Sequence, residues 1–125
     1  ERIYWKELFY ASEASYNDLL TAITNSGTYD SDMLVCEHDP KTIRSFRAKD
    51  FNAVKANKKG GIPGDLRLIK QYKVFVHEDS KNLIYEMDNY KYQFKNDMFI
   101  DYPDQRCSEH AIDAARYASI FCLKM

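Results

Sequence analysis

A chain of 125 residues holds about one domain, with enough material for a single core but not for two. Apolar residues make up 45% and aromatics 14%, which excludes a disordered chain, and no apolar run approaches the roughly 20 residues of a membrane-spanning helix. With 18 basic against 19 acidic side chains, the balance neither requires nor excludes nucleic acid, because a basic face fits inside a neutral protein.

No charged-then-apolar segment at the amino terminus resembles a signal peptide, so a cytoplasmic site of action is expected. Cys36, Cys107 and Cys122 are odd in number and lack paired spacing, which suits reduced thiols better than a disulfide framework or a zinc site. The chain opens at Glu1, without Met, directly in a strand-like run, and reads as part of something longer.

"RIYWKELFY", residues 2–10, is aromatic and β-branched with apolar side chains at both parities, which predicts a strand covered on both faces. Ser15 and Asp18 form a capping-box-like start for a helix carrying Tyr16, Leu19, Leu20 and Ile23, stopped at Gly27. Residues 33–36 read as a buried strand, and Asp39-Pro40 as the N-cap and first position of a helix through Ile43, Phe46 and Ala48. "NAVKA" is a third strand, and the glycine-rich "NKKGGIPGD" a loop. A helix over 66–72, a strand "KVFVH" and a helix over 80–89, with Leu83, Ile84 and Met87 in register, follow. Residues 90–94 and 98–101 predict a hairpin, and the alanine-rich run after Ser108, its expected N-cap, a final helix. Strands alternating with helices predict an α/β domain with parallel pairing and helices on the faces of the sheet.

Glu37 sits one residue past the strand 33–36, at the edge where open α/β sheets bind ligands. A solvated strand end explains it equally well. His38 and Asp39 follow, the latter with a sufficient job as a cap. On the last helix His110 and Asp113 are i and i+3 and so lie side by side, while Glu109 also faces Asp113. The plain reading of Asp113 is a surface pair with Arg116 or Arg106, and that of His110 a structural histidine. Against it stand Ala111, Ala114, Ala115 and Ala118, small residues that let a helix approach a sheet closely.

If Glu37 and Asp113 converge, the site is hard and oxygen-rich, suited to Mg²⁺ or Mn²⁺ and not to structural zinc. Two such ions hydrolyse phosphodiesters, but two carboxylates are few for that; Glu7, Asp101 and Asp104 are the further candidates. Lys58 and Lys59 lie beside the Gly60-Gly61 turn, whose amides can hold phosphate oxygens, although a solvated charged loop accounts for them as well. "KKGGIPGD" lacks the ending of a Walker loop, so nucleotide hydrolysis is not supported there.

Three stretches, "VCEHDPKTIRSFRAKDFNAVKANKKGG", "KVFVHEDSKNLIYEMDNYKYQ" and "SEHAIDAARYA", together resemble the C-terminal nuclease domain of tailed-phage terminase large subunits, which cut concatemeric viral DNA. The resemblance implies a ribonuclease H-like mixed sheet flanked by helices, spanning residues 1–125 but lacking its first strands. It implies a metal-dependent endonuclease in which Glu37 and Asp113 bind Mg²⁺ or Mn²⁺ in a two-metal site and His110 acts beside the ions. Lys58 and Lys59 would contact double-stranded DNA. A terminase small subunit and a portal protein would be partners, in the cytoplasm of a bacterial host of a phage or prophage. The first acidic motif of the family has no counterpart here, and Gly61 replaces the family's usual serine. A junction resolvase and a catalytically dead docking module are the rival readings.

Overall fold

The computed structural model describes residues 1–11, 13–27, 32–37, 39–90 and 110–124, together with the backbone of residues 92–95 and 98–103. Eleven elements follow in chain order among them: β1 (Arg2–Trp5), α1 (Tyr16–Asn25), β2 (Met33–Cys36), α2 (Pro40–Ala48), β3 (Asn52–Lys55), α3 (Gly61–Ile69), β4 (Lys73–Val76), α4 (Lys81–Asp88), β5 (Tyr92–Lys95), β6 (Met98–Pro103) and α5 (His110–Leu123). β1 pairs with β4 and β2 with β3, both parallel, and β5 with β6 antiparallel. The architecture is the α/β arrangement that alternating periodicity predicts.

One core lies between the β2–β3 pair and α1 and α2. Ile43, Phe46 and Ala53 are buried at its centre, with Tyr16, Leu19, Leu20, Ile23, Leu34 and Phe51 packed round them. Phe46 meets Tyr16 at 5.1 Å and Phe51 edge-on at 6.0 Å, the offset geometries that aromatic quadrupoles favour. α5 packs on α3, α4 and β2, and carries Ile112, Tyr117 and Ile120 inward. Its Ser119 Oγ accepts a hydrogen bond from Trp5 Nε1 at 2.8 Å, so this one helix touches both parallel pairs.

The caps follow the sequence. Ser15 and Asp18 form the capping box of α1, and Asp39 caps α2 ahead of Pro40. Thr42 Oγ1 donates to Asp39 Oδ2 at 2.6 Å; this bond above all, with those from the backbone N–H groups of Thr42 and Lys41, holds the Asp39 carboxyl below its ordinary value. A carboxyl depressed by folding adds stability above its unfolded value, and that contribution is lost as pH falls through the folded one. Acidification into the low end of the carboxylate range is therefore expected to speed amide exchange at Lys41 and Thr42 before it affects the centre of α2, and exchange rates measured across that range check it.

Four expectations need correction. β1 is not covered on both faces and ends at Trp5, not Tyr10: its residues alternate exposed and half-buried, and Tyr4 is 69% exposed, stacked on Phe75 at 5.3 Å. The expected loop at 57–65 is largely helix, because α3 starts at Gly61 and ends at Ile69, before the expected 66–72 is complete. Pro63 is tolerated there because the first turn has no intrahelical N–H bonds to lose. The hairpin begins at Tyr92 and not at Tyr90, whose N–H still bonds Met87 O at the end of α4. The alanine face of α5 is not fully covered by the described residues: Ala114 and Ala118 are exposed, and with Ala111 and Ala115 they line a cavity of about 880 Å³ that Trp5, Leu8, Phe9 and Tyr10 also line.

Ser80 occupies the N-cap position of α4 but leaves the capping to another segment. Its hydroxyl accepts from Glu7 N, while Glu7 Oε1 accepts from Leu83 N at 2.8 Å and Oε2 from Asn82 Nδ2. Glu7, one of the expected further metal ligands, thus has both oxygens on the start of a helix. His38, Asp104, Arg106, Cys107, Ser108 and Glu109 lie outside the described residues, as does the side chain of Asp101. Cys36 and Cys122 are free thiols, and burial above all pushes the Cys36 thiol up.

Candidate functional site

The parallel register of β2 and β3 sets Cys36 opposite Lys55, so the segments leaving both strands emerge together. Glu37 and Lys58 meet there: Lys58 Nζ donates to Glu37 Oε1 at 3.2 Å, with the carboxylate side chain 72% exposed. The ammonium also lies 5.4 Å from the centroid of the Tyr117 ring on α5. The hydrogen bond to Glu37 raises the Lys58 pKa, against a smaller opposing effect of burial. Lys59 is exposed, and its backbone N–H donates to Asn57 Oδ1.

Asp113 stands in the first turn of α5, four residues before Tyr117 and so on the same face. Lys58 and Tyr117 therefore connect the end of β2 to the helix surface that carries Asp113. His110, the first residue of α5, is exposed and lines the cavity beside Ala114 and Ala118.

Asp113 does pair with Arg116, at 3.2 Å, but not as a surface pair. Arg116 is 5% exposed, and its other terminal nitrogen donates to Asp65 Oδ2 of α3 at 2.8 Å. Burial disfavours the guanidinium charge, yet the bonds to Asp65 and Asp113 outweigh it and raise the Arg116 pKa. Asp65 is 1% exposed, and its Oδ1 is a buried oxygen without a hydrogen-bond partner among the described residues. Asp65 was not singled out from the sequence; a carboxylate four residues before buried Ile69, within an apolar helix face, is the signal it offers.

Gly60 owes its place to this carboxylate. A Cβ there would lie 2.8 Å from Asp65 Oδ1 and 3.1 Å from Lys124 Nζ, while the backbone at Gly60 is in the ordinary right-handed region. Gly60→Ala is accordingly expected to cost about 1–3 kcal/mol through overpacking alone, read as a lowered denaturation midpoint at unchanged slope.

Carboxylate oxygens are the kind of donor that a hard divalent cation takes. Asp113 Oδ2 and Glu37 Oε2 accept no hydrogen bond from the described residues, each carboxylate being held through its other oxygen. Mg²⁺-like ions are commonly held by one or two carboxylates, with water and substrate phosphates completing the shell. A two-metal site asks for more, and among the described residues no group of three or more metal-ligating side chains comes together.

The fold defines the class. The α/β fold is similar to that of a solved structure, the g2p (large terminase) nuclease domain from the bacteriophage SPP1 with bound Mn, at a TM-score of 0.82 and 21% identity, over 99% of this chain and 72% of that one. No protein-family model matches the chain, and no curated protein does.

Proposed function

We propose that the chain is the metal-dependent endonuclease domain of a phage or prophage terminase large subunit, which cuts concatemeric double-stranded DNA by two-metal phosphodiester hydrolysis. The observation that carries this reading is the fold: nearly the whole chain superposes on a terminase nuclease domain with bound Mn. The carboxylates support it, since Glu37 leaves the carboxyl end of a parallel strand and Asp113 keeps an oxygen unengaged by the described residues.

In this reading Glu37 and Asp113 hold Mg²⁺ or Mn²⁺. The ions supply the charge that polarises the phosphodiester and eases deprotonation of the attacking water. Binding at Glu37 shares its carboxylate with Lys58 or frees that ammonium for a DNA phosphate, and Lys59 adds a second backbone contact. His110, at the start of α5, orients a water or carries a proton. The domain is incomplete, and a further strand supplies the third carboxylate. The cavity along the alanine face of α5, and parallel pairs in which each described strand has one described partner, support this. Terminase small subunit and portal protein are its partners, in the host cytoplasm.

Supercoiled plasmid incubated with the purified chain and millimolar Mn²⁺ provides the test. Weak nicking is expected, since the third carboxylate is lacking, and it is expected to disappear in both Glu37→Gln and Asp113→Asn. Nicking that survives both changes overturns the assignment of the carboxylates. DNA binding without any nicking by the unaltered chain would identify a docking module instead, and a preference for branched junctions a resolvase.

A further inference from the structure

We infer that Asp65 and Arg116 are positioning residues for Asp113, a buried brace that fixes one carboxylate oxygen and leaves the other turned to a divalent cation. The inference rests on the proposed function and adds to it two residues that touch neither metal nor DNA.

Charge counting carries the argument. Two carboxylates share one guanidinium, so the hydrogen-bonded trio keeps one negative charge; the nearby Lys124 ammonium stands beside Gly60 and Asp65 Oδ1, not on Asp113. If the task were only to neutralise a buried arginine, Asp65 at 2.8 Å and fully buried would suffice. The second carboxylate is surplus to that task, and it is the one at the open end: the Asp113 side chain is 30% exposed and that of Asp65 0%. The residual charge is thus carried where a cation can reach it. Geometry agrees, because the planar guanidinium spends one terminal nitrogen on each carboxylate, and the Tyr117 ring 4.7 Å away restrains its plane. An aspartate held at one oxygen by a buried, stacked arginine has few rotamers left, and outer partners of this kind typically govern metal affinity by 10–100-fold.

Mn²⁺ titration of the full chain, by calorimetry and by the electron paramagnetic resonance signal of the free ion, tests this in the unaltered protein, Asp113→Asn, Asp65→Asn and Arg116→Lys, with a thermal melt of each. Asp113→Asn is expected to abolish the binding. Asp65→Asn, which keeps the shape and removes the charge behind Arg116, is expected to weaken it about 10–100-fold. Arg116→Lys keeps the charge without the fork and is expected to fall between Asp65→Asn and the unaltered chain. If Asp113→Asn abolishes binding while the other two stay within about twofold of the unaltered chain, the brace is overturned and the proposed function stands. Lowered melting temperatures with unchanged Mn²⁺ affinity have the same meaning, since they mark a purely structural role. If Asp113→Asn leaves the affinity unchanged, or the unaltered chain binds no Mn²⁺, the metal assignment fails and takes the brace with it.

Discussion

Arg116→Met is expected to destabilise the chain by about 3–5 kcal/mol, the usual cost of leaving one member of a buried ion pair alone. Domains have only about 5–15 kcal/mol in all, so the variant is expected to stand near the edge of folding. The loss does not come from the charge pair as such. It comes from Asp65, a side chain with no exposure that would lose the guanidinium it is bonded to. The double variant Asp65→Leu/Arg116→Met separates the two contributions. Replacing a whole buried pair by apolar groups of similar size is often neutral, so it is expected to recover most of the loss. Urea denaturation of the two variants measures the difference, and a double variant no more stable than Arg116→Met would show that the bond geometry, and not the orphaned charge, is what the fold needs.

This cluster also shows where reading the sequence works and where it stops. Local chemistry is legible: the Ser15-Asp18 box and the Asp39-Pro40 start depend on side chains within three residues, and both stand as expected. Parallel pairing is legible for the same kind of reason, since helices between short apolar runs leave little else. The Asp65–Arg116 bond joins residues 51 apart, and no local pattern announces such a pairing. Glycine and proline around Asp65 instead pointed to a loop, because their low helix propensity is a statement about helix interiors, whereas here they occupy the first turn. The helix face did contain the information. Arg116 lies four residues from each of Ile112 and Ile120, both buried, so a charge in the middle of an apolar stripe was visible in the sequence as an anomaly in need of a partner.

The same reasoning applies to α4, with a different outcome. Leu83, Ile84 and Met87 look like its inward face, yet Met87 is 40% exposed and Glu86 is 1% exposed. Glu86 is three residues from buried Leu83, and its carboxylate receives the first turn of α5: Oε1 accepts from Ala111 N at 2.8 Å and from Ile112 N at 3.1 Å, and Oε2 from Tyr10 Oη at 2.8 Å. A carboxylate at a helix amino terminus meets unbonded N–H groups and the positive end of the helix dipole, which explains why a charged side chain is stable in this interior. The bond therefore fixes the turn that carries His110 and Asp113 without touching either side chain.

Removing it is expected to cost stability and order together. Glu86→Ala leaves two backbone N–H groups without their acceptor, at about 1–3 kcal/mol for each buried donor, so a loss of roughly 3 kcal/mol is expected. Glu86→Gln keeps a carbonyl oxygen for both N–H groups, and its amide nitrogen can donate to the Tyr10 hydroxyl in place of accepting from it. Its expected loss is only about 1 kcal/mol, the difference between a charged and a neutral acceptor. Hydrogen exchange followed along α5 separates a local from a general effect. In Glu86→Ala the amides of Ala111 and Ile112 are expected to lose protection first, while those around Ile120, held by core packing, follow the global stability. Equal loss along the whole helix would mean that α5 is anchored by its carboxyl half and that Glu86 contributes only to overall packing. In the expected case the first turn frays while the core persists, so Asp113 loses its fixed backbone with the Asp65–Arg116 bond still in place. Mn²⁺ affinity should then fall in Glu86→Ala more than in Glu86→Gln, in the same order as the exchange rates of the first turn.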